Sequence, residues 1–262
     1  MMRHSGKRRE LSGSIAAMGG ASRNPGALAW LRDALRSQGL LRAMRSYGRA
    51  TMELLHDLTP ERRRSRFGDI DFDIEHGVDT TWARVSLRTR LRELLSGGQY
   101  QPSEPALFHQ MLAALPVPVD GFTFIDLGSG KGRTLLMASD YPFRRIIGVE
   151  LLSELHEIAK QNIARYRSDA QRCTVIESRA GDARQFDFPA EPTLLYLFNP
   201  FPEHVLRAGL RNLHASLLRS PRQFYIIYHN LVLEHVFSEQ PWLNLVLRTH
   251  EFAIYGRATT DH

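Results

Sequence analysis

The chain has 262 residues, 43% hydrophobic and 24% charged, the balance of an ordinary soluble globular protein with room for one large domain or a domain plus an appendage. No apolar run approaches the roughly 18 residues that a membrane-spanning helix requires, and a single cysteine, Cys173, excludes an internal disulfide, so a cytoplasmic location is the default expectation. The net charge of +6 is uneven: residues 1–66 carry +9 and residues 67–262 carry −3, which places the basicity in the N-terminal quarter.

Residues 1–25 lack hydrophobic periodicity and read as a disordered lead-in; their basic head precedes a Gly/Ser-rich stretch too polar for an export core. Residues 26–98 read as a helical N-terminal extension or lid, with leucines and methionines at helical spacing and arginines between them. Such arginines suit either a basic clamp for nucleic acid, an anionic membrane or an acidic protein, or the solvated face of a lid. The absence of an aromatic-basic recognition motif favours the lid. "ERRR" at 61–64 reads as a solvated linker. In "FGDIDFDIEHGVDTT" (67–81), Asp69, Asp71 and Asp73 alternate as in a calcium loop. Ile74 stands where the loop needs glycine and Thr80 where it needs glutamate, so no metal is expected.

"GGQYQPSEPALFHQML" leads into the main domain, residues 99–262, with Ser103 as a candidate helix cap. From residue 121, β-rich runs alternate with helical patterns, the signature of a parallel sheet covered by helices. "FTFID", "RRIIGVE", "CTVIES", "TLLYLF" and "QFYIIYH" are the predicted strands, with Cys173 a buried residue of the third. Helices are predicted from about Arg133 to Asp140, over "SELHEIAKQNIARY" with Ser153 as cap, and over "EHVLRAGLRNLHASLLR". "WLNLVLRTHEFAIYGR" has no room for a helix and reads as two antiparallel strands at one sheet edge. The predicted fold is a three-layer α/β sandwich with a mostly parallel seven-stranded sheet, the last strands antiparallel, plus the N-terminal helical extension.

The chemistry concentrates in "FIDLGSGKGR" (124–133), where a strand ends in Asp126 and turns through Gly128, Gly130 and Gly132 into a helix. With no Cβ in the way, backbone N–H groups come within reach of a flat or anionic ligand. A dinucleotide fingerprint fails because Arg133 stands at its last glycine, and a P-loop fails on glycine spacing and its Lys-Ser/Thr pair. Glu150 ends the second strand, where a carboxylate can accept both hydroxyls of a ribose. Lys131 reads as a solvated loop residue. His229, in "YHN" after the fifth strand, reads as structural, with a substrate-facing role as the alternative.

On these motifs residues 98–256 resemble the class I, seven-stranded S-adenosylmethionine (SAM) methyltransferases, with some likeness to the non-SET lysine methyltransferases. "FIDLGSGKGR" resembles their D-x-G-x-G-x-G motif, "GVELL" the second, "AGDARQF" the third and "LYLFNPF" the fourth. The resemblance implies SAM as cofactor, held by Asp126, Gly128, Ser129, Gly130 and Gly132. Glu150 would take the ribose, Leu151 would pack on adenine, and Asp182 and Ala183 would line the adenine pocket. Asn199, Pro200 and Phe201 would lie beside the transferred methyl group as catalytic residues, and Tyr100 over the methionine end. The acceptor is unidentified, an amine being one class; the alternatives are a protein lysine substrate or a nicotinamide-dependent oxidoreductase. Asn-Pro-Phe-Pro departs from the Asn-Pro-Pro-aromatic of amino-methyltransferases acting on DNA or glutamine, which argues against nucleobase or glutamine specificity; nucleic acid is a partner only through the basic N-terminal region, and is not favoured.

Overall fold

The computed structural model describes residues 70–81, 102–198 and 201–257. The expected disordered lead-in, the basic helices, Tyr100, Asn199 and Pro200 therefore lie outside the described residues. Helix α1 (Ile70–His76) lies within the segment assigned to the extension. Helix α2 (Pro105–Ala113) opens on Pro105, whose fixed φ suits the first turn.

Strands and helices then alternate: β1 (Thr123–Leu127), α3 (Arg133–Ala138), β2 (Arg145–Glu150), α4 (Ser153–Arg165), β3 (Ile176–Ala180), β4 (Thr193–Phe198), α5 (Glu203–Arg219) and β5 (Phe224–His229). A short 3-10 turn, Ala183–Gln185, follows β3. After the short helix α6 (Glu234–Ser238) the chain closes with β6 (Leu243–Arg248) and β7 (Phe252–Arg257).

The seven strands form one sheet in the order β3-β2-β1-β4-β5-β7-β6. β1 to β5 are parallel, and β7 pairs antiparallel with both β5 and β6. The strand order reverses between β1 and β4, and in open parallel sheets the crevice beyond such a reversal takes the ligand. The expected seven-stranded, mostly parallel α/β sheet is therefore the observed one.

Period-two alternation sorts the strand residues onto two faces. Ile125, Leu195, Leu197, Ile226 and Tyr228 join Leu206, Leu210 and Leu213 of α5 in one core. Phe124, Leu194, Tyr196 and Ile227 face the other way and pack with α2 and α3. The inner strands are buried on both faces, which is why "TFIDL" and "TLLYLF" read as unbroken apolar runs rather than alternating ones.

Three local expectations need correction. Cys173 is buried but precedes β3, which starts at Ile176; its backbone N–H instead donates to Ser139 O at 2.9 Å. Ser153 does not cap α4, since Leu152 holds the cap position without a side-chain bond. Ser103 does not cap α2, where Glu104 holds that position; the Ser103 hydroxyl lies 2.7 Å from the Tyr196 hydroxyl instead.

Candidate cofactor site

The glycine loop is built by its own backbone. Gly128, Gly130 and Gly132 all have positive φ, at 88°, 54° and 85°, the left-handed region that a Cβ disfavours. A Cβ at Gly132 would also stand 3.3 Å from the Ala159 Cβ, so this glycine brings α4 against the loop. Gly148 in β2 is more constrained still: a Cβ there would meet Leu135 Cδ1 at 2.5 Å and Ser129 Oγ at 2.6 Å. The loop lies over β2 where only a glycine fits beneath it, and the sequence shows this only as an isolated strand glycine in "GVE".

Four of the loop amides are already bonded within the protein. Gly128 and Ser129 donate to Val149 O at 2.8 and 3.1 Å, and Gly132 donates to Ser129 O at 2.8 Å. Gly130 donates to Glu150 Oε2 at 2.9 Å. The expectation that these N–H groups face a ligand is thus corrected: four of them hold the loop to β2 and to itself. A phosphate cradle needs such donors, and these four are already engaged.

Two carboxylates flank the loop. Asp126, the penultimate residue of β1, and Glu150, the last residue of the adjacent parallel strand β2, are 3% and 6% exposed. Asp126 accepts a bond from the Thr134 hydroxyl at the start of α3. Burial lifts its pKa to about 7; the Thr134 bond pulls it down, and repulsion from Glu150 adds to the rise. Glu150 is likewise raised by burial, against the N–H bonds of Leu152 and Gly130. Its Oε1 accepts from Leu152 N at 2.8 Å, and the Leu151 amide also lowers its pKa. Such a pair of desolvated acids disfavours an anionic ligand and favours a cationic or hydroxyl-bearing one.

Of the remaining expected residues, Leu151, Asp182 and Ala183 lie on the segments next to Glu150, and Phe201 lies elsewhere. Leu151 follows Glu150 and is 48% exposed, an apolar side chain left open at the end of β2. Ala180 is the register partner of Glu150, and Gly181 N donates to Glu150 O at 3.0 Å, bringing the turn of Asp182 and buried Ala183 next to β2. Asp182 takes a local role: its carboxylate accepts from Arg184 N at 2.9 Å and pairs with the Arg184 guanidinium at 2.7 Å. Phe201 packs, partly buried, against the α5 core.

At the ends of β4 and β5, Phe198 stacks on His229 with ring centroids 3.8 Å apart and planes 12° apart. His229 Nδ1 lies 3.0 Å from the Tyr196 hydroxyl, which in turn reaches Ser103. Burial pushes the His229 pKa down to about 4, so the ring is neutral at neutral pH.

Two functional features escape the sequence. Lys131, expected to be solvated, is fully buried, with Nζ 2.9 Å from Asp79 Oδ1 and 2.5 Å from Thr81 O. Arg133 is buried beside it and reaches Asp73 at 3.4 Å and Thr80 Oγ1 at 2.6 Å. The acidic segment with its calcium-loop-like alternation thus neutralises two cations of the glycine loop. No sequence signal links partners more than 50 residues apart, although five acids without a base announce that cations must come from elsewhere.

No protein-family model matches the chain, and no curated protein matches it. Among solved structures, it is similar to an RNA methyltransferase from Salinibacter ruber in complex with S-adenosyl-L-homocysteine, at 20% identity, 60% of this chain, 92% of that chain and a TM-score of 0.42. A putative S-adenosyl-L-methionine-dependent methyltransferase from Methanococcus maripaludis is 18% identical over 60% of this chain and 86% of that chain, with a TM-score of 0.45. For a ribosomal protein L11 methylase from Lactobacillus delbrueckii subsp. bulgaricus the values are 14%, 62%, 81% and 0.42. The likeness is one of fold.

Proposed function

We propose that the protein is a SAM-dependent methyltransferase. The observation that carries the reading is the pair Asp126 and Glu150, two buried carboxylates beside a glycine loop with the amides of Gly128, Ser129, Gly130 and Gly132 already bonded. SAM sets a sulfonium, an ammonium and a ribose diol, cations and hydroxyl donors suited to such acids, against a single carboxylate. A dinucleotide brings a pyrophosphate, which needs free N–H donors and is repelled by the same acids. Glu150 would hold the ribose, Leu151 and Ala183 the adenine, and the glycine loop with Asp126 the amino-acid end.

Bound there, SAM supplies an activated methyl group. The protein's work is then to align the acceptor with it and exclude water. An amine attacks only when neutral, so oxygen acceptors that orient its lone pair assist the transfer. Asn199, Pro200 and Phe201, which follow β4 in the sequence, are the residues proposed for this role. A small amine or another nucleophile is the proposed acceptor class; a protein lysine is a narrower case without its own support.

Titration calorimetry with SAM and S-adenosylhomocysteine, set against NADH fluorescence, tests the reading. Saturable binding of both SAM ligands without NADH binding is expected. Saturable NADH binding without SAM binding would overturn it in favour of an oxidoreductase.

A further inference from the structure

We propose that residues 73–81 are a positioning strap for the cofactor loop, with Asp79 and Asp73 fixing the loop through Lys131 and Arg133. The inference rests on the cofactor reading above and assigns a role to a segment that the reading does not use.

The bonds between the two regions are dense. Lys131, between Gly130 and Gly132, extends from the loop to Asp79 Oδ1 and to Thr81 O. Arg133, the first residue of α3, meets Asp73 and Thr80. Its guanidinium also sits 5.0 Å from the centre of the Phe72 ring. Asn162 of α4 joins both sides: its Nδ2 donates to Asp79 O at 2.8 Å and to Lys131 O at 2.9 Å, while its Oδ1 accepts from Asp79 N at 2.9 Å.

The segment is itself preorganised to do this. Asp73 Oδ2 accepts from Thr80 N at 2.8 Å and Thr81 N at 2.9 Å, its Oδ1 accepts from the Thr80 hydroxyl, and its backbone oxygen accepts from Val78 N at 3.0 Å. Val78 packs with Leu136 and Tyr166 beneath the loop. One buried aspartate thus closes the turn that presents Asp79 to Lys131.

A buried ammonium or guanidinium without a partner is strongly unfavourable, so the seated segment favours the loop conformation that hides Lys131 and Arg133. Conversely, released cations would swing toward water and carry Gly130 and Gly132 with them. Asp79 and Asp73 touch no ligand in this scheme; they are positioning residues acting through the loop.

Two measurements on the full chain test the proposal. In calorimetry, Asp79→Asn and Lys131→Met should each weaken S-adenosylhomocysteine at least fivefold, and the double variant should be no weaker than the worse single one, because the two side chains act as a pair. A purely structural role would lower the melting temperature while leaving affinity in the folded protein intact. In hydrogen exchange on the wild type, which needs no variant to fold, saturating S-adenosylhomocysteine should slow the amides of residues 78–81 together with those of 128–132. Wild-type binding accompanied by less than fivefold change in the variants, or by unchanged exchange at 78–81, overturns the strap alone. A wild type that binds no S-adenosylhomocysteine overturns the cofactor reading, and the strap with it.

Discussion

Asp126 shows how one residue couples stability to pH. An unfolded aspartate ionises near 4, whereas burial holds this one to about 7, so the folded protein keeps a proton that the unfolded chain releases. Stability is therefore lost as pH rises from about 4 to about 7. Asp126→Asn removes that loss: denaturant unfolding should find the variant gaining on the wild type by up to a few kcal/mol between pH 5 and pH 8, at roughly 1.4 kcal/mol for each pH unit climbed between the two ionisations. The same variant should bind SAM more weakly. His229 works in the opposite sense, since its pKa is lowered to about 4 from an ordinary value near 6.5, and its contribution is lost as pH falls through that window. Gly148→Ala is a steric case: a methyl 2.5 Å from Leu135 Cδ1 should cost about 1–3 kcal/mol in thermal unfolding and displace Ser129 from its seat. At this scale the sequence is unevenly legible. Asp126, Gly128, Gly130 and Gly132 stand out because a strand-turn-helix imposes them locally. Lys131 does not, because its burial depends on Asp79, which local spacing cannot reveal.

Among the elements, the strands and long helices are legible and their ends are not. α5 spans Glu203–Arg219 as its apolar spacing implies, and "TLLYLF" is β4 from end to end. Ser103 and Ser153 carry good capping chemistry, yet neither caps, because Ser103 finds a buried phenol on β4 and Leu152 takes the cap of α4. The bridge from Ser103 through Tyr196 to His229 joins the approach to α2 with the ends of β4 and β5. Tyr196→Phe should therefore leave the Ser103 hydroxyl and His229 Nδ1 without their partner and cost about 1–3 kcal/mol in urea unfolding. It should leave SAM affinity nearly unchanged, since Tyr196 has no assigned contact with the cofactor. Removing Asn162, by contrast, should affect both: Asn162→Ala loses three bonds linking segment 70–81, α4 and the loop, so stability and affinity should fall together.

For the molecule as a whole, the strand order sets the place of chemistry. β1 and β4 are neighbours in the sheet but Thr193 comes 66 positions after Leu127, and the chain visits β2 and β3 in between. That excursion puts Glu150 and the Gly181 turn on one side of Asp126 and the β4 terminus on the other. The described residues contain no helix long and apolar enough to cross a membrane. The sheet class is legible from alternating strand and helix patterns. The seating of residues 70–81 on the loop is not, because nothing in their composition says which cations they meet. The central claim is that two buried carboxylates select a cationic nucleoside. Calorimetry of SAM binding to the wild type and to Glu150→Gln at pH 7.5 tests it most directly. The account predicts saturable binding that weakens at least tenfold in the variant; no binding to the folded wild type, or equal affinity in both proteins, would contradict it.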